Sequence, residues 1–153
     1  MEPGLARVPG VRVIRVRYGV MRPGAIGRPK PSREAEQQYE ADLALASRRA
    51  ELLDTAREAE ARFREAQARH APDAEVRRPA EDFDAALTAA MRAAYAAQRA
   101  EIGPRGYDDR IYRRKAKATP RVRALTAEAE HLLTLRETHR LTGIPAVAYE
   151  PAP

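Results

Sequence analysis

Eight basic residues fall within nineteen positions near the C-terminal third of the chain: Arg105, Arg110, Arg113, Arg114, Lys115, Lys117, Arg121 and Arg123. Tyr107 and Tyr112 are interleaved with them. Guanidinium and ammonium groups at this density suit phosphate contacts, and the tyrosines could serve as stacking platforms for bases. Solvated helix faces, or contacts to acidic parts of the same chain, account for the same residues equally well. A second basic set, Arg12, Arg15, Arg17, Arg28 and Lys30, lies in the first 31 residues. Of the 28 bases 25 are arginine, whose planar fork grips phosphate in two places as lysine cannot. A GC-rich genome would also favour arginine, but codon bias does not explain clustering.

The clustering shows in the charge by segment. Residues 1–33 carry eight bases against Glu2, whereas 34–104 carry ten bases against fifteen acids. Residues 105–123 carry eight bases against Asp108 and Asp109, and 124–153 two bases against four acids. All the positive excess, +7 and +6, is therefore confined to two segments separated by an acidic middle, within a net charge of +6. That asymmetry points to a polyanion or an acidic protein surface as partner.

Other chemistry finds little support. The chain has no cysteine, so disulfides, thiolate metal sites and cysteine nucleophiles are excluded. No phosphate-binding loop, dinucleotide fingerprint or HExxH pattern occurs. His131 and His139 stand eight positions apart, two helical turns, too far to share a metal, and read as surface histidines. Asp108 and Asp109 with Glu101 could hold a divalent ion, but a helix start explains them more simply. No catalytic, metal or cofactor site is expected. Gly103-Pro104-Arg105-Gly106 has the GxxG spacing of KH domains, and Gly27-Arg28-Pro29-Lys30 is similar to the centre of an AT-hook. The first lacks the sheet such a domain needs, and the second has Ile26 where an arginine precedes the glycine. Both read as charged loops.

The elements that must carry these residues are helical. Leu, Ile, Val and Phe make up 26 of 153 residues, about 17%, while 32 are alanine. That is short of the roughly 20% expected of a self-sufficient core. Prolines and glycines through residue 31 predict an extended arm, with a possible strand at 11–20. Ser32 then reads as the cap of one long helix to residue 70, with a stripe through Tyr39, Leu43, Ala46, Ala50, Leu53, Ala56, Ala59, Phe63 and Ala66. After a turn at 71–78, Pro79 opens a second helix to residue 102, ten of whose 24 positions are alanine. Its stripe is Phe83, Leu87, Met91, Ala94 or Tyr95, and Ile102.

Asp108 should cap a short helix over 109–118. Arg110, Arg113, Arg114 and Lys117 would lie on one face of it, with Ile111 and Tyr112 as apolar anchors. Thr119-Pro120 should start a final helix that ends at Thr142-Gly143, with Val122, Leu125, Ala129 and Leu132 inward and Leu133 beside them.

The expected architecture is all-α. A long antiparallel, coiled-coil-like hairpin (32–102) is followed by a basic linker and short helix (103–123) and a third long helix (120–143). An extended basic arm (1–31) and a tail (144–153) flank it. The second helix, as read, covers only part of the first, leaving Tyr39, Leu43 and Leu45 for the third helix or a protein partner. No apolar run reaches a membrane span or a signal peptide, so the expected location is cytoplasmic or the interior of a virion. Binding within a multi-component particle, with sequence-independent nucleic-acid contacts, is the expected function. A protein-interaction coiled coil, adaptor or oligomerisation module is the alternative.

Overall fold

The computed structural model describes residues 29–146. The arm with its candidate strand, and with it Arg12, Arg15, Arg17 and Arg28, lies outside the described residues except for its last three positions, and so does the end of the tail. Among the described residues the chain is all-α, with no strand. Six helices follow in order: α1 (Arg33–Ser47), α2 (Arg49–Ala68), α3 (Asp73–Ile102), α4 (Arg105–Asp108), α5 (Arg110–Ala116) and α6 (Pro120–Thr142).

The helix expected over 32–70 is broken at one residue. Arg48 has φ −90° and ψ 1°, and its N–H turns to the Leu45 carbonyl. The cause is local: the Ser47 hydroxyl donates to the Ala44 carbonyl at 2.7 Å and competes with the helical ladder. Ser32 does cap α1, accepting from the Ala35 N–H at 3.1 Å. The α2–α3 turn is tighter than expected. His70 adopts φ 53°, its N–H reaches the Gln67 carbonyl, and the Ala71 N–H reaches Ala66, two bonds that terminate α2 before Pro72. Helix α3 therefore starts at Asp73 and not at Pro79, which sits inside it. The missing proline N–H is tolerated because Val76 and Ala80 on either side are buried in the core.

The earlier start gives α3 thirty residues, enough to lie along both α1 and α2. Phe63 stacks on Phe83 at 6.1 Å, and Arg99 reaches back to Asp42, so the paired positions run in opposite directions along the two strands of helix. Tyr39 and Leu45, expected to be left over, are half-buried, while Leu43 stays 44% exposed. Helix α6 packs on another side of α3, starting and ending where Thr119-Pro120 and Gly143 predict. Gln98 donates to Thr126 at 2.7 Å, Arg136 to Thr88 at 2.8 Å, and Arg140 pairs with Asp84 at 2.6 Å.

Helix α3 is buried on two sides by alanine. Ala80, Ala90, Ala93 and Ala96 have no exposed surface, and Ala94 has almost none. The aromatic rings of the core gather at one level, where Phe63, Phe83 and His139 meet edge-on or stacked at 4.7–6.1 Å. The surface role expected of His139 is thus wrong. It is 7% exposed, and its Nε2 lies 2.7 Å from the Ala80 carbonyl, a partner that lets the ring enter the core. The eightfold spacing from His131 gave no sign of this, because the three helices meet only in the fold.

Enlarging a buried alanine tests the two-sided packing. Ala93→Leu should destabilise the chain by about 1–3 kcal/mol in chemical denaturation, because its surroundings hold no space for three more carbons. Ala85→Leu, on the exposed side of α3, should be nearly silent. Equal effects would remove the assignment of α3 as the shared central helix.

Candidate functional site

The start of α1, where the N-terminal basic segment ends, meets the second basic segment at one end of the described residues. Asp108 does not cap α5; its carboxylate accepts from the Ser32 N–H at 2.6 Å and from the Ser32 hydroxyl at 2.9 Å. This clasp joins positions 76 residues apart and brings the entry to α1 against α4. The cap of α5 is Asp109, which accepts from the Tyr112 N–H at 2.8 Å. At the same end Arg121, at the start of α6, pairs with Glu101, at the end of α3, at 2.9 Å. The basic segment 105–123 and the point where the arm enters α1 therefore share one pole.

A partly buried polar triad lies at that pole. Asp42 accepts two hydrogen bonds from Arg99, at 2.6 and 2.7 Å, and one from the Tyr107 hydroxyl at 2.5 Å. Burial pushes the Asp42 carboxyl up, but the bonds from Arg99 and Tyr107 and the Arg99 charge outweigh it and hold it below its usual range. Burial, with the bond to Asp42, pushes the Tyr107 hydroxyl well above its ordinary value. Tyr107 is thus a structural donor, with its ring half-buried. Asp42 is a residue that the periodicity missed: the apolar stripe was drawn through Leu43, its exposed neighbour.

The glycines of the GxxG stretch serve the backbone. Gly103 has φ 89°, a conformation that side chains oppose, and a Cβ on Gly106 would collide with Ile102. They let α3, α4 and α5 turn sharply against one another.

The eight cations of 105–123 fall into two groups. Arg105 pairs with Asp109 at 2.9 Å and lies over the Tyr112 ring, 4.7 Å from its centroid, which covers that ring face. Arg113 turns inward and donates to the Gly106 carbonyl at 3.0 Å, and Arg121 is paired with Glu101. Arg110, Arg114, Lys115, Lys117 and Arg123 are exposed and have no carboxylate partner among the described residues. Lys30 is exposed as well. The expected face of α5 is therefore rotated: Arg113 leaves it and Lys115 joins it. Ile111, expected as an anchor, is 70% exposed and shares an open hollow with Arg110, Arg114 and Lys115.

The carboxylates once considered for a cation are all engaged, Asp108 with Ser32, Asp109 with Arg105 and the α5 N–H, Glu101 with Arg121. Among the described residues no cluster of three metal-ligating side chains forms, and no helix is long and apolar enough to cross a membrane.

A second feature lies away from the basic pole. Helices α2 and α6 flank a groove of about 500 Å³ whose floor is Phe83 and Leu87 of α3. Leu53 and Ala56 form one wall, Leu132 and Leu135 the other, and Glu60, Arg64 and His131 stand on the rim. Leu135 is 42% exposed.

The polar framework predicts a pH dependence with a definite sign. Asp84, hydrogen-bonded to Arg140 and partly desolvated, is also held below its ordinary range. Both carboxylates contribute stability that is present above their unfolded-state value, near pH 4, and is lost as pH falls through the lower folded-state values. Asp42→Asn with Asp84→Asn should lower the Tm at pH 7 and flatten its decline between about pH 4 and 2. An unchanged acid limb in thermal melts would show that neither ion pair contributes. Compared with protein-family models, with curated proteins and with solved structures, the chain shows no match in any of the three, so its functional reading rests on this geometry.

Proposed function

We propose that this chain is a non-enzymatic assembly protein that holds nucleic acid through its basic pole, within a particle of several components. The observation that carries the reading is the Ser32–Asp108 clasp, which brings the start of α1, where the positive N-terminal segment joins the helical body, against the basic segment 105–123. Five cations of residues 105–123 have no carboxylate partner among the described residues, and uncompensated arginine and lysine on one surface is the electrostatic footprint of a polyanion site. The helical hairpin of α1, α2 and α3 acts in this reading as a spacer, and the basic arm as a second point of attachment. Contacts of this kind are made to phosphates and are independent of base sequence.

A second reading, a protein-interaction module without nucleic acid, is favoured by the groove between α2 and α6. Its apolar floor and polar rim suit a partner helix, and Leu43 adds an exposed apolar residue on α1. Self-association belongs to the same reading.

Salt dependence separates the two. Phosphate binding falls with salt with a log–log slope of about −0.9 per contact on duplex DNA, so four contacts give about −3.6. Changing Arg110, Arg114, Lys115 and Lys117 together to glutamine should flatten the slope by up to about that amount. Changing Arg105 and Arg113, held by Asp109 and by the Gly106 carbonyl, should alter it less. These slopes are measured by titrating labelled DNA and RNA duplexes at several salt concentrations. No binding by the intact chain at about 50 mM salt would dismiss the nucleic-acid reading and leave the protein module.

A further inference from the structure

Helix α5 buries none of its residues, unlike every other helix described. It projects from the basic pole and is fixed at its base by the Asp109 cap, the Arg113–Gly106 bond and the Arg105–Tyr112 contact. On its outer side stands Ile111, 70% exposed in a chain that has few large aliphatic residues. At about 100° per residue, Lys115 lies about 40° to one side of Ile111, and Arg114, Arg110 and Lys117 about 60–120° to the other. An apolar tip with cations on both flanks is the chemistry of a surface that meets two rows of phosphates with something apolar between them.

Resting on the nucleic-acid reading above, we infer that α5 enters the major groove of B-form duplex DNA, with Ile111 against the base edges. The dimensions select this partner. A helix with its side chains is about 10–12 Å across, which fits a major groove about 12 Å wide and not a minor groove of about 6 Å. The major groove of an RNA duplex is too narrow and deep for side chains to read. An anionic lipid surface would call for a helix with a broad apolar face, whereas α5 offers a single outward aliphatic side chain. Within the major groove the apolar group on the base edges is the thymine C5-methyl, so Ile111 would favour thymine without a hydrogen bond.

The thymine methyl can be removed alone, which makes the test specific. Fluorescence anisotropy would compare a duplex DNA, the same duplex with every thymine replaced by deoxyuridine, and the duplex RNA of that sequence. The intact chain should bind the thymine duplex a few-fold more tightly than the deoxyuridine duplex, and the RNA duplex more weakly still. Ile111→Ala should abolish the thymine–deoxyuridine difference and leave the salt slope unchanged. Far-UV circular dichroism should not change either, because the side chain is exposed. Equal affinity of the intact chain for thymine and deoxyuridine duplexes, or for DNA and RNA, would overturn the major-groove assignment while salt-dependent binding upheld the phosphate reading. No binding to any duplex at about 50 mM salt would overturn both. Binding to anionic phosphatidylserine vesicles in place of DNA, lost in Ile111→Ala, would move α5 to a lipid surface and overturn the inference.

Discussion

The structure depends on one helix being thin enough to be shared. Helix α3 lies against α1 and α2 on one side and α6 on another, and its alanines allow those backbones to approach closely. Each buried alanine contributes little transfer free energy, so stability comes from the number of close contacts, from the aromatic level around Phe63, Phe83 and His139, and from a few buried aliphatic residues such as Leu87, Ile102 and Val122. A core of this kind tolerates little enlargement. It also explains the ion pairs from α3 to its neighbours, Arg99 to Asp42 on one side and Asp84 to Arg140 on the other. With few large side chains to fix register, paired and partly desolvated charges do part of that task.

The same economy shapes the surfaces. Between the Phe63–His139 contact and the Arg49–Glu128 pair, where α2 and α6 flank α3, a groove remains over Phe83 and Leu87. At the other end, α3 stops at a glycine with positive φ, and the chain turns through α4 into α5. The Asp42–Arg99–Tyr107 triad and the Ser32–Asp108 clasp hold that turn to α1. The pole is therefore tied together by exposed and part-buried polar contacts, while the cations it presents remain exposed.

Net charge alone would have overstated the basic site. Of the eight cations in residues 105–123, three are taken up within the fold, Arg105 by Asp109, Arg113 by a backbone carbonyl and Arg121 by Glu101. Both tyrosines that suggested stacking are occupied, Tyr107 by its bond to Asp42 and Tyr112 by the Arg105 guanidinium on its ring. What remains is narrower and of a different composition: Arg110, Arg114 and Lys115 of α5 around the exposed Ile111, Lys117 at the helix C-cap, and the exposed Arg123 and Lys30 elsewhere.

Sequence by itself determined the helical class, the segregation of positive charge, and the boundaries written in local chemistry. Ser32 at the start of α1, Thr119-Pro120 and Gly143 at the ends of α6, and the inward positions Phe63, Phe83, Leu87, Val122 and Leu132 were all legible, because caps and 3.6-residue periodicity act within a few residues. The errors arose where a distant partner changed a local preference. Pro79 was read as a helix start, but burial of Val76 and Ala80 carries the helix through it. His139 was read as surface, but α2 and α3 supply two rings and a carbonyl for it. Asp108 was read as the cap of α5, but Ser32, far away in sequence, takes its carboxylate. Only the tertiary structure decided which cations of residues 105–123 face outward and that the start of α1 lies against that segment, because pairing depends on groups that periodicity cannot bring together.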